Sequence, residues 1–337
     1  MIAVRPLTAA DEAAWDAYVL GRPGSHFAQR TAWRRLTTEF YGVEARWWLA
    51  RDAGGRIVGA LPLFRGKYTL FSAPGGLLAD DDAAAATLIE HARADVARER
   101  LRWLELRDQA REWPGLVTNP EHVTLVLDLA PDADAQWKAF DAKLRNQIRK
   151  AERSDLRCVR GRDQVAAFHR VFSEHMRDLG TPTMEARYFA RALELYGGDA
   201  DLLVVWHGDR PIGAMFVVAH GATFADPWAS SLRRFFALCP NNLLYWEAVR
   251  GAIAAGARRF DFGRSQPGSG TYRFKMQYGA APQPLAYQYA LGTATEVPTL
   301  AAQKSSLDLA VRVWQRLPLA VTRAVGPRAR RLFPEAL

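Results

Sequence analysis

Lysine is scarce in this 337-residue chain. Only Lys67, Lys138, Lys143, Lys150, Lys275 and Lys304 occur among 45 basic residues, leaving 39 arginines (45 − 6). Cysteine is scarcer still: Cys158 and Cys239 lie far apart with no Cys-x-x-Cys spacing, which excludes a disulfide framework. The seven histidines form no HxxxH or HExxH pattern, and the six-residue spacing of His169 and His175 does not stack two ligands on one helical face. No structural metal and no tightly bound cofactor is therefore expected. No GxSxG and no Cys-His pattern marks an enzyme nucleophile. No apolar run reaches the ~18 residues that cross a bilayer. The opening MIAVRPLTAADEAAW lacks a basic-then-apolar leader, so a cytoplasmic protein is expected.

What is present is an ordinary globular composition, 49% hydrophobic and 24% charged, with a net charge of +9. That balance points to an anionic partner: phosphate, nucleic acid or a membrane surface. RNA is disfavoured, because no RNA-binding signature or Gly/Arg repeat accompanies the charge.

A pattern recurs along the chain. ARWWLARDAGGRIVGALPLF (residues 45–64) and ADLLVVWHGDRPIGAMFVV (200–218) each read as strand, Gly/Asp turn, strand. Arg56, Gly59 and Ala60 match Arg210, Gly213 and Ala214 at a constant offset of 154 (213 − 59). Helices precede each hairpin, and a strand, a helix and another strand follow it. Two such halves imply a duplicated α+β (α/β) architecture. The expected domains are 1–118 and 119–295, with the probable active site in the second, and a basic tail at 296–337.

The stretch FDFGRSQPGSGTYRFKMQYGA (260–280) concentrates the chemistry. Read as a strand, Thr271–Tyr278 puts Phe274, Met276 and Tyr278 on one face and Arg273, Lys275 and Gln277 on the other, a basic stripe. Asp261 lies between two aromatics, where an unpartnered carboxylate is expensive. It therefore has three readings: a salt bridge, an orienter of Arg264 or Lys275, or a base. Arg264 and Ser265 begin a glycine-rich loop able to cradle an anion through its amides. Glu247, beside Trp246 on a helix, is a weaker base candidate. Trp228 and Ser231 end a strand, and either acceptor contact or core packing accounts for Trp228. Arg145, Arg149 and Arg153 fall four apart on a helix whose buried face is Leu144, Ile148 and Ala151. Such a stripe fits a phosphate partner or a merely solvated face. The tail, Ser306–Pro334, places Leu307, Ala310, Val311, Trp314 and Leu317 on one face among arginines. It suits an anionic membrane surface or docking onto the first domain.

The order helices–hairpin–strand–helix–strand is similar to the GNAT acyltransferase fold, and two copies in tandem resemble the Fem-type (FemAB) aminoacyl transferases. HMRDLGTP (175–182), PNNLLYWEAVRGA (240–252), FDFGRS (260–265) and TYRFKMQYGAAPQPLAY (271–287) carry the resemblance. Together with VWQRLPLAVTRAVGP (313–327), they look like the branch found with exopolysaccharide and PEP-CTERM/exosortase gene sets. The resemblance implies two tandem GNAT-like domains and acyl transfer to an amine of an envelope saccharide or peptidoglycan-type precursor. It further implies Phe274-Lys275 at the acyl-transfer site, His175 among the substrate-binding residues, and aminoacyl-tRNA or acyl-CoA as donor. The CoA-pyrophosphate signature (Q/R)xxGx(G/A) between a strand and a helix is missing. The expected partners are a phosphate-bearing glycan precursor and, for a tRNA donor, tRNA. Peripheral contact with the inner membrane face through the tail is also expected. The alternative of another class is a non-catalytic adaptor that binds lipid-linked glycan.

Overall fold

The structure, a computed structural model, describes residues 2–107, 111–298 and 308–332. Ser306, Leu307 and the last residues of the expected tail lie outside that range. The chain forms two compact units.

Unit 1 contains the described residues up to Val123 and then 284–298. Strand β1 (Ala3–Pro6) leads to α1 (Glu12–Leu20) and α2 (Thr31–Tyr41). Next come the hairpin β2 (Glu44–Arg51)–β3 (Ile57–Arg65), β4 (Leu70–Ser72), β5 (Leu78–Ala79), α3 (Asp82–Arg98) and β6 (Trp103–Arg107). Strand β7 (Val117–Asp128) runs from this unit into the next. The turn before α1 is tied by a capping box, in which Thr8 N donates to Asp11 Oδ2 at 3.3 Å, and by Thr8 Oγ1 donating to the same oxygen at 2.6 Å.

Unit 2 contains Thr124–Gln283 and 308–332. Helices α4 (Ala133–Ala139) and α5 (Ala142–Glu152) precede β8 (Leu156–Arg160), α6 (Val165–Leu179) and α7 (Ala186–Tyr196). The hairpin β9 (Ala200–His207)–β10 (Arg210–His220) follows, then β11 (Thr223–Ser231), α8 (Pro240–Ala254) and β12 (Arg259–Ser265). Then come α9 (Gly270–Met276) and β13 (Ala281–Leu291), whose greater part returns to unit 1. Helices α10 (Asp308–Arg316) and α11 (Leu319–Arg330) close the described chain.

The strand orders are β1-β2-β3-β4-β6-β13 in unit 1, with β5 on β3, and β7-β12-β11-β10-β9-β8 in unit 2. The repeat noted in sequence is visible in backbone register. In β2–β3 the pairing shifts between Arg51↔Ile57 and Ala50↔Gly59. In β9–β10 it shifts between Trp206↔Pro211 and Val205↔Gly213. The extra residue is Val58 in one and Ile212 in the other, at the same 154-residue offset, so both hairpins carry a bulge at the same place.

Helices α4 and α5 are separate, because Asp141 caps a second start, its Oδ1 accepting from Leu144 N at 2.6 Å. Two expectations change. The span 270–276 is a helix and not a strand: Gly268 turns at φ +76°, Ser269 Oγ caps Tyr272 N at 3.1 Å, and Gly279 (φ +82°) closes the turn that follows. The face-sharing of Arg273, Lys275 and Gln277 is lost with it. The tail packs on α6 of unit 2 in place of the first domain. There Arg323 Nε donates to Ser173 Oγ at 2.8 Å, and Gln315 Nε2 to Asp178 O at 3.1 Å. A Cβ at Gly180 would clash with Val311, and one at Gly326 would crowd Thr183. Trp314 and Leu317 are thereby half-buried, while Leu309, Val313, Val321 and Val325 stay exposed.

Among the described residues no helix is long and apolar enough to cross a membrane, and no His/Cys/Asp/Glu group is arranged to hold a metal.

Candidate active site

Strands β11 and β12 run parallel but pair only over Thr223↔Arg259, Phe224↔Phe260 and Ala225↔Asp261. Both strands continue, to Ser231 and Ser265, past the last pair. On its other edge β11 stays paired to β10 up to Gly213↔Ser231, with a register shift in which Asp226 and Pro227 together oppose Val217. The β11–β12 ladder ends at this bulge, leaving a gap in the pairing at the carboxyl end of the parallel pair, where open α/β sheets place their ligands.

Buried charge gathers at the mouth of this gap. Asp226 is 7% exposed; its Oδ2 accepts from Tyr245 Oη at 2.6 Å, and its Oδ1 has no partner. Desolvation pushes this carboxyl up to about 7, opposed by Lys275 and the Tyr245 bond and assisted by Asp261. Asp261 is satisfied: its Oδ1 accepts from Thr124 Oγ1 at 2.6 Å and from Gly263 N at 2.8 Å. Burial still raises it. Lys275 is 8% exposed, and its Nζ donates to Gly263 O at 3.0 Å and Arg264 O at 3.2 Å. Burial lowers its pKa, while Asp226 and Asp261 oppose the shift. The ammonium therefore pins the end of β12 from α9 and sets the field felt by two carboxylates.

Aromatic rings wall the cluster. Tyr245 stacks on Phe262 (5.2 Å) and meets Phe274 (5.3 Å) and Tyr278 (5.9 Å). Phe274 thus braces the tyrosine that holds Asp226, while its neighbour Lys275 holds the loop. The side-chain oxygens of Ser230, Ser231 and Ser265, all on the two diverging strands, are buried without a partner. Such oxygens cost free energy unless something else satisfies them.

The structure thus brings together Lys275, Asp261 and Phe274, and adds Asp226, Tyr245 and Thr124, which the sequence reading passed over; Ser231 and Ser265 lie at the ends of β11 and β12. The missed signal was Asp226-Pro227 inside an apolar strand: proline there marks a bulge or an edge, and a buried acid needs a reason. Arg264 is exposed just above Lys275, and Arg273 Nη1 is tied to Gly268 O at 3.0 Å. Trp228 packs among Phe216 (5.0 Å), Phe189 (5.4 Å) and Tyr188 (5.5 Å), a core role. His175 is half-buried on α6, and burial lowers its pKa. Glu247 is apart from the cluster. It pairs with Arg250 at 2.8 Å and lines a cleft of about 570 Å³ with Cys158 and Arg160. On α5, Leu144, Ile148 and Ala151 are buried, Arg149 and Arg153 are exposed, and Arg145 is half-buried. Arg149 lies over the Trp137 ring at 5.5 Å.

The segment from β11 to α8 contains no glycine, winds into a 3-10 turn over Arg233–Leu238, and has Arg234 paired with Glu174, so it offers no glycine-rich cradle for a CoA pyrophosphate.

Residues 138–276 match the family described as Acetyltransferase (GNAT) domain. Over these residues unit 2 is similar to a GNAT domain, and Asp226 and Lys275 fall inside the match. Among solved structures, FemX matches with a TM-score of 0.68 at 14% identity, over 86% of this chain and 98% of that one. A tandem GNAT protein from the clavulanic acid biosynthesis pathway matches with 0.58 at 15%, over 88% and 100%. L-PGS from Bacillus licheniformis matches with 0.59 at 12%, over 93% and 99%. At these identities the likeness is one of fold, a tandem GNAT architecture. No curated protein matches by sequence.

Proposed function

We propose that unit 2 is the catalytic unit of an N-acyl or aminoacyl transferase acting on an amine of a phosphate-bearing envelope saccharide or peptidoglycan-type precursor. The observation that carries this reading is the break in the β11–β12 ladder beside the buried carboxyl of Asp226 and the cation of Lys275, inside the residues that match a GNAT domain. Acyl transfer to an amine needs a proton acceptor and donors aimed at the developing oxyanion, and it gains from holding the two substrates together. The gap offers all three: Asp226, the main-chain and hydroxyl donors of the diverging strands, and a slot between two rigid strands. Lys275 and Asp261 position the strand end, and Arg264, Arg273, Ser231 and Ser265 face incoming substrate. The exposed Arg149 and Arg153, with Arg145, supply positive charge for a phosphate. The donor is aminoacyl-tRNA or acyl-CoA, and the missing glycine-rich loop weighs against CoA. Placement at the inner membrane face and a role in exopolysaccharide assembly belong to the same proposal, supported by the charge of the chain and the resemblance of residues 175–290. Mass spectrometry of envelope glycans from cells with and without the protein tests it. A glycan that loses one acyl or aminoacyl mass in the deletion is expected, and identical glycan profiles would overturn it.

A further inference from the structure

The docking of the tail leaves a surface uncovered. Val311 fixes the inner face of α10, since it fills the space where a Cβ on Gly180 would go, and Trp314 is half-buried on the same side. On the opposite side Leu309, Arg312, Val313 and Arg316 are all exposed, and their spacing of three, one and three residues puts them on one stripe. Helix α11 repeats the arrangement. Thr322 and Gly326 are buried, Gly326 against Thr183, while Val321, Ala324, Val325 and Arg328 are exposed at the same spacing. Leu309 is 71% exposed, Val313 53% and Val325 45%, so two packed helices hold aliphatic side chains out in water. Charge decides what can cover them. Residues 309–332 contain six arginines and no Asp or Glu, and Asp308 at the start of α10 brings the net to +5 (6 − 1). The α6 acids beside the tail are engaged elsewhere, Glu174 with Arg234 and Asp178 with Arg177. A second copy of this chain would bring the same positive charge to the contact and be repelled. An anionic lipid surface suits both features: aliphatic side chains enter the headgroup boundary while guanidinium groups stay at the phosphates.

We propose that the outward stripes of α10 and α11 form a docking surface for an anionic lipid leaflet, which they meet while the tail stays packed on α6. Leu309, Val313, Val321 and Val325 enter the headgroup boundary, and Arg312, Arg316 and Arg328 reach lipid phosphates. The inference rests on the placement at the inner membrane face proposed above and names the surface responsible for it. It also changes which side of the tail meets lipid: Trp314, the largest apolar side chain of the segment, stays with the protein. Because α6 belongs to unit 2, the contact keeps the unit that contains Asp226 and Lys275 at the leaflet.

The test is co-sedimentation of the full chain with vesicles of phosphatidylglycerol and phosphatidylcholine in equal parts, and with vesicles of phosphatidylcholine alone. The anionic vesicles are expected to bind at least about tenfold tighter, as several arginines at the surface require. A variant combining Leu309→Gln, Val313→Gln and Val325→Gln keeps every charge and every docked contact. It should bind the anionic vesicles about tenfold or more weakly, with an unchanged thermal transition because the three side chains are exposed. A second variant, Arg312→Gln with Arg316→Gln and Arg328→Gln, should lose the preference for anionic vesicles. Equal binding to both vesicles, no binding to the anionic ones, or an undiminished preference in the arginine variant would each overturn the proposal. Undiminished binding by the aliphatic variant would overturn it too, leaving charge alone or a released Trp314 as the contact. So would a concentration-dependent dimer that the aliphatic variant abolishes, which would assign the face to a second copy. None of these outcomes bears on whether the protein acylates an envelope glycan, which the mass-spectrometric comparison decides separately.

Discussion

Replacing Asp226 by Asn should make the protein more stable at neutral pH, and the size of the gain follows from its surroundings. The folded carboxyl titrates at about 7 because burial outweighs Lys275 and Tyr245, whereas an unfolded aspartate titrates near 3.9. Between those values the native state holds a proton that the unfolded state has released. Stability therefore falls as pH rises through this window and levels off above it. About three units at 1.36 kcal/mol each amount to roughly 4 kcal/mol lost from acid to neutral pH. Asn keeps the shape and an oxygen for Tyr245 but never ionises, so the variant escapes this loss. Lys275 and Asp261 titrate in both proteins, so the difference curve isolates Asp226 to first order. The assay is urea unfolding of both proteins from about pH 4 to about pH 8. The two curves should converge in acid and separate by a few kcal/mol near neutrality. Parallel curves would show that the carboxyl titrates in its ordinary range and would remove the basis for a proton acceptor here.

Three further outcomes are expected. Lys275→Met strands the carbonyls of Gly263 and Arg264, a cost of about 1–3 kcal/mol. It should lower turnover of the acylated product about 10²-fold or more, and near-normal turnover would remove Lys275 from the site. Gly326→Val places side-chain carbon against the Thr183 backbone, where even a Cβ would lie 3.0 Å from the carbonyl oxygen. Tail release, read as faster proteolysis after α9 together with a loss of about 1–3 kcal/mol, is expected, and unchanged protease resistance would show that the tail is not held there. Alanine at Arg145, Arg149 and Arg153 together should weaken binding of a diphosphate-bearing glycan and flatten its salt dependence, which screening over about 8 Å makes measurable. An affinity that ignores both the substitution and the salt would leave the stripe a solvated face.

The hairpins were legible in sequence because their turns and alternation are local, and even their bulges repeat at Val58 and Ile212. Helix α9 was not. Seven residues are too few to establish a period of 3.6, and Phe274, Met276 and Tyr278 alternate like a strand. What decides the matter is Ser269 capping between two turning glycines, a start and a stop that outweigh the pattern between them. The importance of Asp226 was hidden for a different reason. Its burial depends on which strand lies beside β11, and that neighbour, β12, is reached only after the crossover through α8. Glu247 looked eligible because a helix offers every residue a face. The structure turns Tyr245 toward the gap and sends Glu247 to Arg250.

The return of β13 to unit 1 has a consequence for how the polypeptide is made. Strand β6 gains its antiparallel partner only from Tyr287–Leu291, a segment translated after residues 124–283 of unit 2. During synthesis the first half must wait on the ribosome with the Trp103–Arg107 edge open, for the time needed to add more than half the chain. An open edge of alternating apolar residues is a template for pairing between nascent chains. The arrangement thus makes polysome crowding and holding chaperones a determinant of yield. Supplying residues 281–298 earlier, by a circular permutation cut between α9 and β13, should shorten the vulnerable interval.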